Sequence, residues 1–173
     1  VAAMAVAQLN GVSDQELKEG VSSFAGSKRR FDRQVNSPKV VYIDDYAHHP
    51  AEIDACIKSI RHLYPSKKIC GVFQPHLYSR TKDFAKEFAQ SLSTIDDVIL
   101  LEIYPAREKP IKGVTSALIA KNIKHKNKMI LAQKEDLVNE LKNHTFDVLI
   151  TIGAGNIDQL VPEVTQYVES IAK

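Results

Sequence analysis

The sequence predicts an α/β domain with a doubly wound, mostly parallel sheet, preceded by a short helical stub. Three observations carry that reading. Short runs of β-branched and aliphatic residues recur along the chain. Amphipathic segments of about three turns separate them. The connections collect Gly, Pro, Asn and Asp. Alternation of this kind builds βαβ units, because a parallel strand pair needs a crossover long enough to hold a helix. With 173 residues the chain is long enough for one domain with a buried core.

Val1–Leu9 is alanine-rich and helical in preference, and Asn10-Gly11 stops it. Ser13-Asp14-Gln15-Glu16 is a helix start, with Ser13 as cap and Glu16 as its capping-box partner, and that helix runs to about Phe24. Two short helices do not make a domain, so residues 1–24 are expected to belong to a neighbour. The apolar opening lacks a basic region and an initiator Met, and reads as a helix cut short, not as a secretion signal. From Lys28 the pattern changes. Strands are expected at Lys39–Asp44, Lys68–Phe73, Asp97–Ile103, Lys128–Leu131 and Asp147–Ile152. Helices are expected at Ala51–Leu63, Thr81–Leu92, Thr115–Lys124, Lys134–Lys142 and Ile157–Ile171. Arg30–Val35 is expected to add an antiparallel edge strand.

Composition excludes several classes. Lys and Arg number 23 against 21 Asp and Glu, a net charge of +2, and the basic residues are dispersed apart from Lys28-Arg29-Arg30. No broad positive field for nucleic acid results. No apolar run approaches the roughly 20 residues needed to cross a bilayer, so membrane insertion is not expected. Cys56 and Cys70 lack metal-ligand spacing and read as reduced apolar fillers in a cytoplasmic protein.

In an open α/β sheet, ligands bind beyond the carboxyl ends of the strands. The chemically unusual residues fall in the loops that follow strands: Asp44-Asp45-Tyr46-Ala47-His48-His49-Pro50, Gln74-Pro75-His76-Leu77-Tyr78-Ser79-Arg80-Thr81, Tyr104-Pro105-Ala106-Arg107-Glu108 and Gly153-Ala154-Gly155-Asn156. Loops that precede strands, such as Tyr64-Pro65-Ser66-Lys67, are bland. The first of the four suits a magnesium-bound nucleotide or a transition metal. It also suits a plain helix start, with Asp44 or Asp45 as cap, Pro50 in the first turn and one His buried. In the second, Arg80 beside a helix N-terminus can grip a carboxylate or phosphate, or Ser79 caps the helix and Arg80 is solvated. Arg80 in a first turn opposes the helix dipole and needs another justification. Lys28-Arg29-Arg30 taken alone is a solvated face. The glycines at 153 and 155 allow a ligand to approach the backbone. The chain has neither a dinucleotide fingerprint nor a GxxxxGK[ST] phosphate loop, and no nucleophile elbow. It carries ligand-gripping residues without a phosphate cradle.

Phe24–Asp32, Asp44–Pro50, Phe73–Thr81, Ile103–Glu108 and Gly153–Asn156 occur in the order seen in the Mur ligases of the UDP-N-acetylmuramate–L-alanine type, and the chain resembles that family over essentially its whole length. The resemblance implies a three-domain enzyme of peptidoglycan synthesis. Residues 25–173 would be its Rossmann-like C-terminal domain, and residues 1–24 the tail of the missing central ATPase domain. It implies amide ligation through an acyl phosphate, with ATP and Mg²⁺ bound mainly by the central domain. UDP-N-acetylmuramate and L-alanine would be the substrates, and the fragment alone would be inactive. The implied catalytic set is Arg30, Asp45 and His48. Arg30, Asp45 and Tyr46 would face the nucleotide, and His48, His76, Ser79 and Arg80 the substrates. No metal ligand and no general base is assigned. Many members carry a basic residue where this chain has Leu77, which leaves Arg80, alone or with Arg107, to hold the amino-acid carboxylate. The related ligase that recycles a tripeptide shares the acidic–histidine stretch, but is expected to depart in the Gln74–Thr81 loop. A free-standing nucleotide-binding module is the non-enzymatic alternative.

Overall fold

A computed structural model describes residues 2–24, 26–124, 127–131 and 133–173. Val1 and Ala25, which bound the two segments drawn from sequence, lie outside the described residues. Helices α1 (Ala2–Leu9) and α2 (Asp14–Ser23) form as expected, the second with a complete Ser13/Glu16 capping box, and neither contains a buried residue.

Six strands follow: β1 (Asp32–Asn36), β2 (Val41–Asp45), β3 (Ile69–Phe73), β4 (Asp97–Leu101), β5 (Lys128–Leu131) and β6 (Val148–Ile152). They form one sheet in the order β1-β2-β6-β3-β4-β5, with only β1 antiparallel, on the edge. Every residue of β2, β3, β4 and β6 is buried. That explains why these strands read as continuous apolar runs instead of alternating ones: both faces are covered.

The order of winding sets the layers. From β2 to β5 the chain steps outward past the place left for β6, and α3 (Pro50–Leu63), α4 (Tyr78–Leu92) and α5 (Ala117–Ala120) cover one face. From β5 it returns to fill that place. A right-handed crossover in the reverse direction must use the other face, where α6 (Leu137–Leu141) and α7 (Val161–Ala172) lie. Ile53, Ile57, Ile60, Phe88, Leu92 and Ile119 build the first core, and Leu137, Leu141, Ile157, Val164 and Val168 the second. Because β6 exits toward one face while β2 and β3 exit toward the other, the chain parts on both sides of β6. That divergence opens the ligand crevice of this architecture.

Several boundaries differ from the sequence reading. The 115–124 helix shrinks to Ala117–Ala120, and the 134–142 helix becomes a 3-10 turn, Lys134–Asp136, before α6. The last helix opens as a 3-10 turn, Asn156–Leu160, and becomes α-helical at Val161, with Pro162 in its first turn where no N–H is needed. Helix α4 begins three residues early, at Tyr78.

Candidate functional site

The four unusual loops meet at the carboxyl edge of the sheet. Asp45 and Ile152 sit side by side in register, as do Phe73 and Ile152. The Gly153 N–H donates to the Asp45 carbonyl and the Gln74 N–H to the Ile152 carbonyl, at 3.1 and 3.0 Å. The loops after β2, β6 and β3 are thereby joined by main-chain bonds. The loop after β4 is joined in turn, since Tyr104 N–H donates to the Pro75 carbonyl and Leu77 N–H to that of Tyr104, at 2.8 and 2.9 Å.

Along this rim runs a file of rings and cations. The Arg30 guanidinium lies 5.3 Å from the centre of the Tyr46 ring. Tyr46 meets His48 edge-on at 5.5 Å, His48 meets His76 at 6.1 Å, and His76 stacks on Tyr104 at 5.7 Å. Arg80 Nη1 donates to His76 Nδ1 at 3.2 Å, so His76 carries its proton on Nε2. Burial first, then the charge of Arg80, holds the His76 ring below the usual histidine range and keeps it neutral. The structure thus gathers Arg30, Tyr46, His48, His76 and Arg80 on one edge.

The two arginines of the basic run have opposite tasks. Arg29 donates from Nε to Asp44 at 3.1 Å and from Nη2 to the Gly153 carbonyl at 2.6 Å, and lies 3.7 Å from Asp158. Among the described residues the Arg30 guanidinium has no hydrogen-bond or ion-pair partner, only the Tyr46 ring; its main-chain N–H donates to the Ser27 carbonyl at 3.0 Å. Arg29 and Phe31 both adopt left-handed φ, 58° and 50°, a costly conformation for such side chains. Both guanidiniums reach the Tyr46 ring, at 5.0 and 5.3 Å, but only that of Arg29 is also tied to the sheet edge. The basic run is therefore no simple solvated face.

The acidic–histidine loop keeps Pro50 in the first turn of the helix start read from sequence and departs from it in the cap and the histidines. His49, not Asp44 or Asp45, caps α3, with Pro50 behind it, and neither histidine is buried. The histidines diverge: His48 faces His76, and His49 lies against Phe84 at 5.1 Å. Among the described residues no group of three His, Cys, Asp or Glu could hold a metal ion. Asp44 is 1% exposed and bonded to Arg29 and to the Thr151 hydroxyl, which also meets the Tyr42 hydroxyl at 3.0 Å. Asp45 accepts from the N–H groups of Ala47 and Phe31 at 2.8 and 2.7 Å. Its carboxylate therefore ties the loop that carries Tyr46 to the turn that carries Arg30. Asp45→Ala removes both charged hydrogen bonds, and should lower stability by about 1–3 kcal/mol for each amide left unpaired. Chemical denaturation measures the loss.

Two more groups escaped the sequence reading. Gln74 is buried and bridges from Nε2 to Asn156 and from Oε1 to the Ile157 N–H, each at 2.9 Å. Glu108 accepts from the Ser79 N–H at 2.9 Å and from its hydroxyl. Ser79 does not cap α4; that place belongs to Leu77, whose φ is 72° and whose side chain offers no hydrogen bond. Only a glutamine behind β3 and an acid in the loop after β4 signalled these roles. The glycines also proved different in purpose. A Cβ on Gly155 would stand 2.6 Å from Tyr104 Cβ, and one on Gly153 2.8 Å from the Gln74 carbonyl oxygen, so the close approach they permit is to the protein's own loops. Gly155→Ala should cost about 1–3 kcal/mol by forcing Tyr104 aside, seen as a lower melting temperature and a changed near-ultraviolet tyrosine signal.

A cleft of about 240 Å³ opens on the rim between Gln74, Tyr104, Lys134 and Asn156. A larger groove, about 570 Å³, lies beside α7 and β1, and the charges of Arg29 and Asp44 in its wall are already paired with each other. The rim, with its unspent cations, is the better candidate. Among the described residues no helix is long and apolar enough to cross a membrane.

Comparison with known proteins agrees with this geometry. Residues 29–155 match the family model described as Mur ligase, glutamate ligase domain. The chain is 54% identical over 172 residues to the UDP-N-acetylmuramate–L-alanine ligase of Porphyromonas gingivalis, covering 99% of this chain and 38% of that protein. It is 52% identical over 164 residues to the ligase of the same name from Phocaeicola vulgatus, covering 95% and 36%. The chain therefore spans well under half the length of the curated relatives it matches. Among solved structures, the UDP-N-acetylmuramate-alanine ligase of Thermotoga maritima superposes with a TM-score of 0.79 at 24% identity, over 98% of this chain and 36% of that one. A murein peptide ligase from Psychrobacter arcticus gives 0.66 at 20% identity, over 96% and 35%. At those identities the likeness speaks for the fold: a Rossmann-like α/β domain. With 127 of its 173 residues inside the family model, the chain belongs to the Mur ligase family.

Proposed function

We propose that this chain is the C-terminal domain of an ATP-dependent ligase that joins L-alanine to UDP-N-acetylmuramate in the cytoplasm, an early step of peptidoglycan precursor synthesis. The observation that carries the reading is the single rim on which the uncommitted Arg30 and the Arg80–His76 pair stand at opposite ends of one file of rings. The identity to ligases of that name supports it.

In this proposal ATP supplies the phosphoryl group that activates the sugar carboxylate as an acyl phosphate, which the amine of L-alanine then attacks. Negative charge develops on the transferring group and on the tetrahedral centre, so fixed cations are the useful tools. Arg30, held over Tyr46, reaches the nucleotide phosphates, and Tyr46 lines the nucleotide. Asp45 serves that side by fixing the turn that presents both. His48 stands between the two ends, where nucleotide and substrate meet. Arg80, oriented by the neutral His76, takes a substrate carboxylate. Ser79 supports that end through Glu108. Mg²⁺ belongs with the central domain, because the strand-end carboxylates here are spent on Arg29, Thr151 and backbone amides. Residues 1–24 belong with that domain too, consistent with helices that bury nothing here.

The test is ADP release by the full-length protein. It should require UDP-N-acetylmuramate and L-alanine together, while the 173-residue chain alone shows no turnover. Release that prefers a tripeptide over L-alanine would move the assignment to the recycling ligase. Release that ignores both acceptors would end the ligase reading.

A further inference from the structure

Helix α4 begins in an unusual way. Its cap residue, Leu77, offers no side-chain acceptor and has left-handed φ. Its first turn carries Ser79 and Arg80, which face the rim. The N–H groups at such an end are unsatisfied and attract an anion. In this chain the anion is supplied from another loop. Glu108 accepts from the Ser79 N–H at 2.9 Å and from the Ser79 hydroxyl. Those bonds, the hydroxyl first, hold its carboxyl below the usual glutamate range, so it is ionised at neutral pH.

The loop that delivers Glu108 is itself tightly held. Glu108 N–H donates to the Pro105 carbonyl at 2.9 Å, closing a turn in which Ala106 has φ 50°. At the loop's start Tyr104 bonds both Pro75 and Leu77 through its main chain and stacks on His76. One loop therefore grips the head of α4 from two sides. Tyr104 holds the His76 ring, and Glu108 holds Ser79, the residue next to Arg80. Arg80 and His76 are then pinned at 3.2 Å from each other.

We propose that Glu108 is the positioning residue of the acceptor end of the site, fixing the first turn of α4 and occupying its Ser79 amide and hydroxyl so that an incoming carboxylate is left the Arg80–His76 pair to bind. The inference rests on the ligase reading above. A carboxylate left free to settle on the bare helix end would sit beside Ser79 instead of Arg80, with its amine displaced from the attack position. Displacements of about 1 Å at a reacting group can cost about a hundredfold in rate.

The experiment compares Glu108→Ala, Glu108→Gln and the wild type in the full-length enzyme, with kcat and KM measured separately for L-alanine and for ATP. The expected result for Glu108→Ala is a kcat lowered roughly tenfold to a hundredfold, with the KM for ATP changed less than about twofold. Acetate should inhibit this variant in competition with L-alanine, and should not do so in the wild type. Glu108→Gln, which keeps an acceptor for one Ser79 bond, should recover part of the loss, and it serves as the folded comparison should the alanine variant melt early. An unchanged kcat, or a KM for ATP altered as much as kcat, would overturn the proposal. Wild-type enzyme without L-alanine dependence would instead remove the ligase reading, a result visible before any substitution is made.

Discussion

Arg29→Ala is expected to destabilise the domain by about 3–5 kcal/mol, because it strands a buried carboxylate. Asp44 is 1% exposed and faces Arg29 as its one cationic neighbour within ion-pair distance among the described residues. Burial already pushes the Asp44 carboxyl above the usual range, although Thr151 and Arg29 pull it down. Without Arg29 it must move further up. The sign of the pH dependence follows. A carboxyl whose folded-state pKa exceeds its unfolded value favours the fold below the unfolded value, and that advantage is lost as pH rises through the folded one. The defect in Arg29→Ala should therefore be largest at neutral and alkaline pH and should shrink as Asp44 is protonated. Asp44→Asn in the same background should recover part of the loss, since it removes the stranded charge. Denaturant titrations across pH measure all three effects. A loss that does not vary with pH would show that Arg29 acts by packing alone. The variant should also handle nucleotide poorly, because it loses the guanidinium that lies 5.0 Å from the Tyr46 ring.

Arg80→Ala carries the second large effect, on activity and not on folding. Arg80 is half-buried, and its recorded protein partner is the His76 ring. In the proposed function its remaining donors serve a substrate carboxylate. Removing the cation from a desolvated carboxylate pair costs about 2–5 kcal/mol, so kcat/KM for L-alanine should fall by a factor of roughly thirty to several thousand at 1.36 kcal/mol per tenfold. Stability should change little. The same substitution removes a positive charge that keeps His76 neutral. The His76 titration midpoint should then rise, which proton resonances of the ring report directly. Unchanged kinetics together with an unchanged His76 titration would show that Arg80 is merely solvated.

How much of this was legible in the sequence depends on the range of the interactions. Strand identity was, because β2, β3, β4 and β6 are buried on both faces and their apolar runs have no competing explanation. The antiparallel edge strand and the gathering of unusual loops at one rim followed from the same topology. Helix lengths after β4 were less legible, since 3-10 and α conformations share the same apolar spacing over one or two turns. The division of labour between Arg29 and Arg30 was invisible, because it depends on left-handed φ at Arg29 and Phe31 and on partners as distant in sequence as Gly153. Gln74 and Glu108 were missed for the same reason: their partners lie 82 and 29 residues away. The two loop amides that the Asp45 carboxylate holds were likewise out of reach of the sequence, since one of them, at Phe31, lies on another loop.

The claim on which the functional reading depends is that nucleotide and acceptor meet on the carboxyl rim of this sheet. A crystal structure of the full-length protein with a magnesium-bound ATP analogue and L-alanine decides it. The reading predicts Arg30 and Tyr46 against the nucleotide and the Arg80–His76 pair against a carboxylate, with His48 between them. Ligands seated at the amino edge of the strands, or in the groove between β1 and α7, would contradict it.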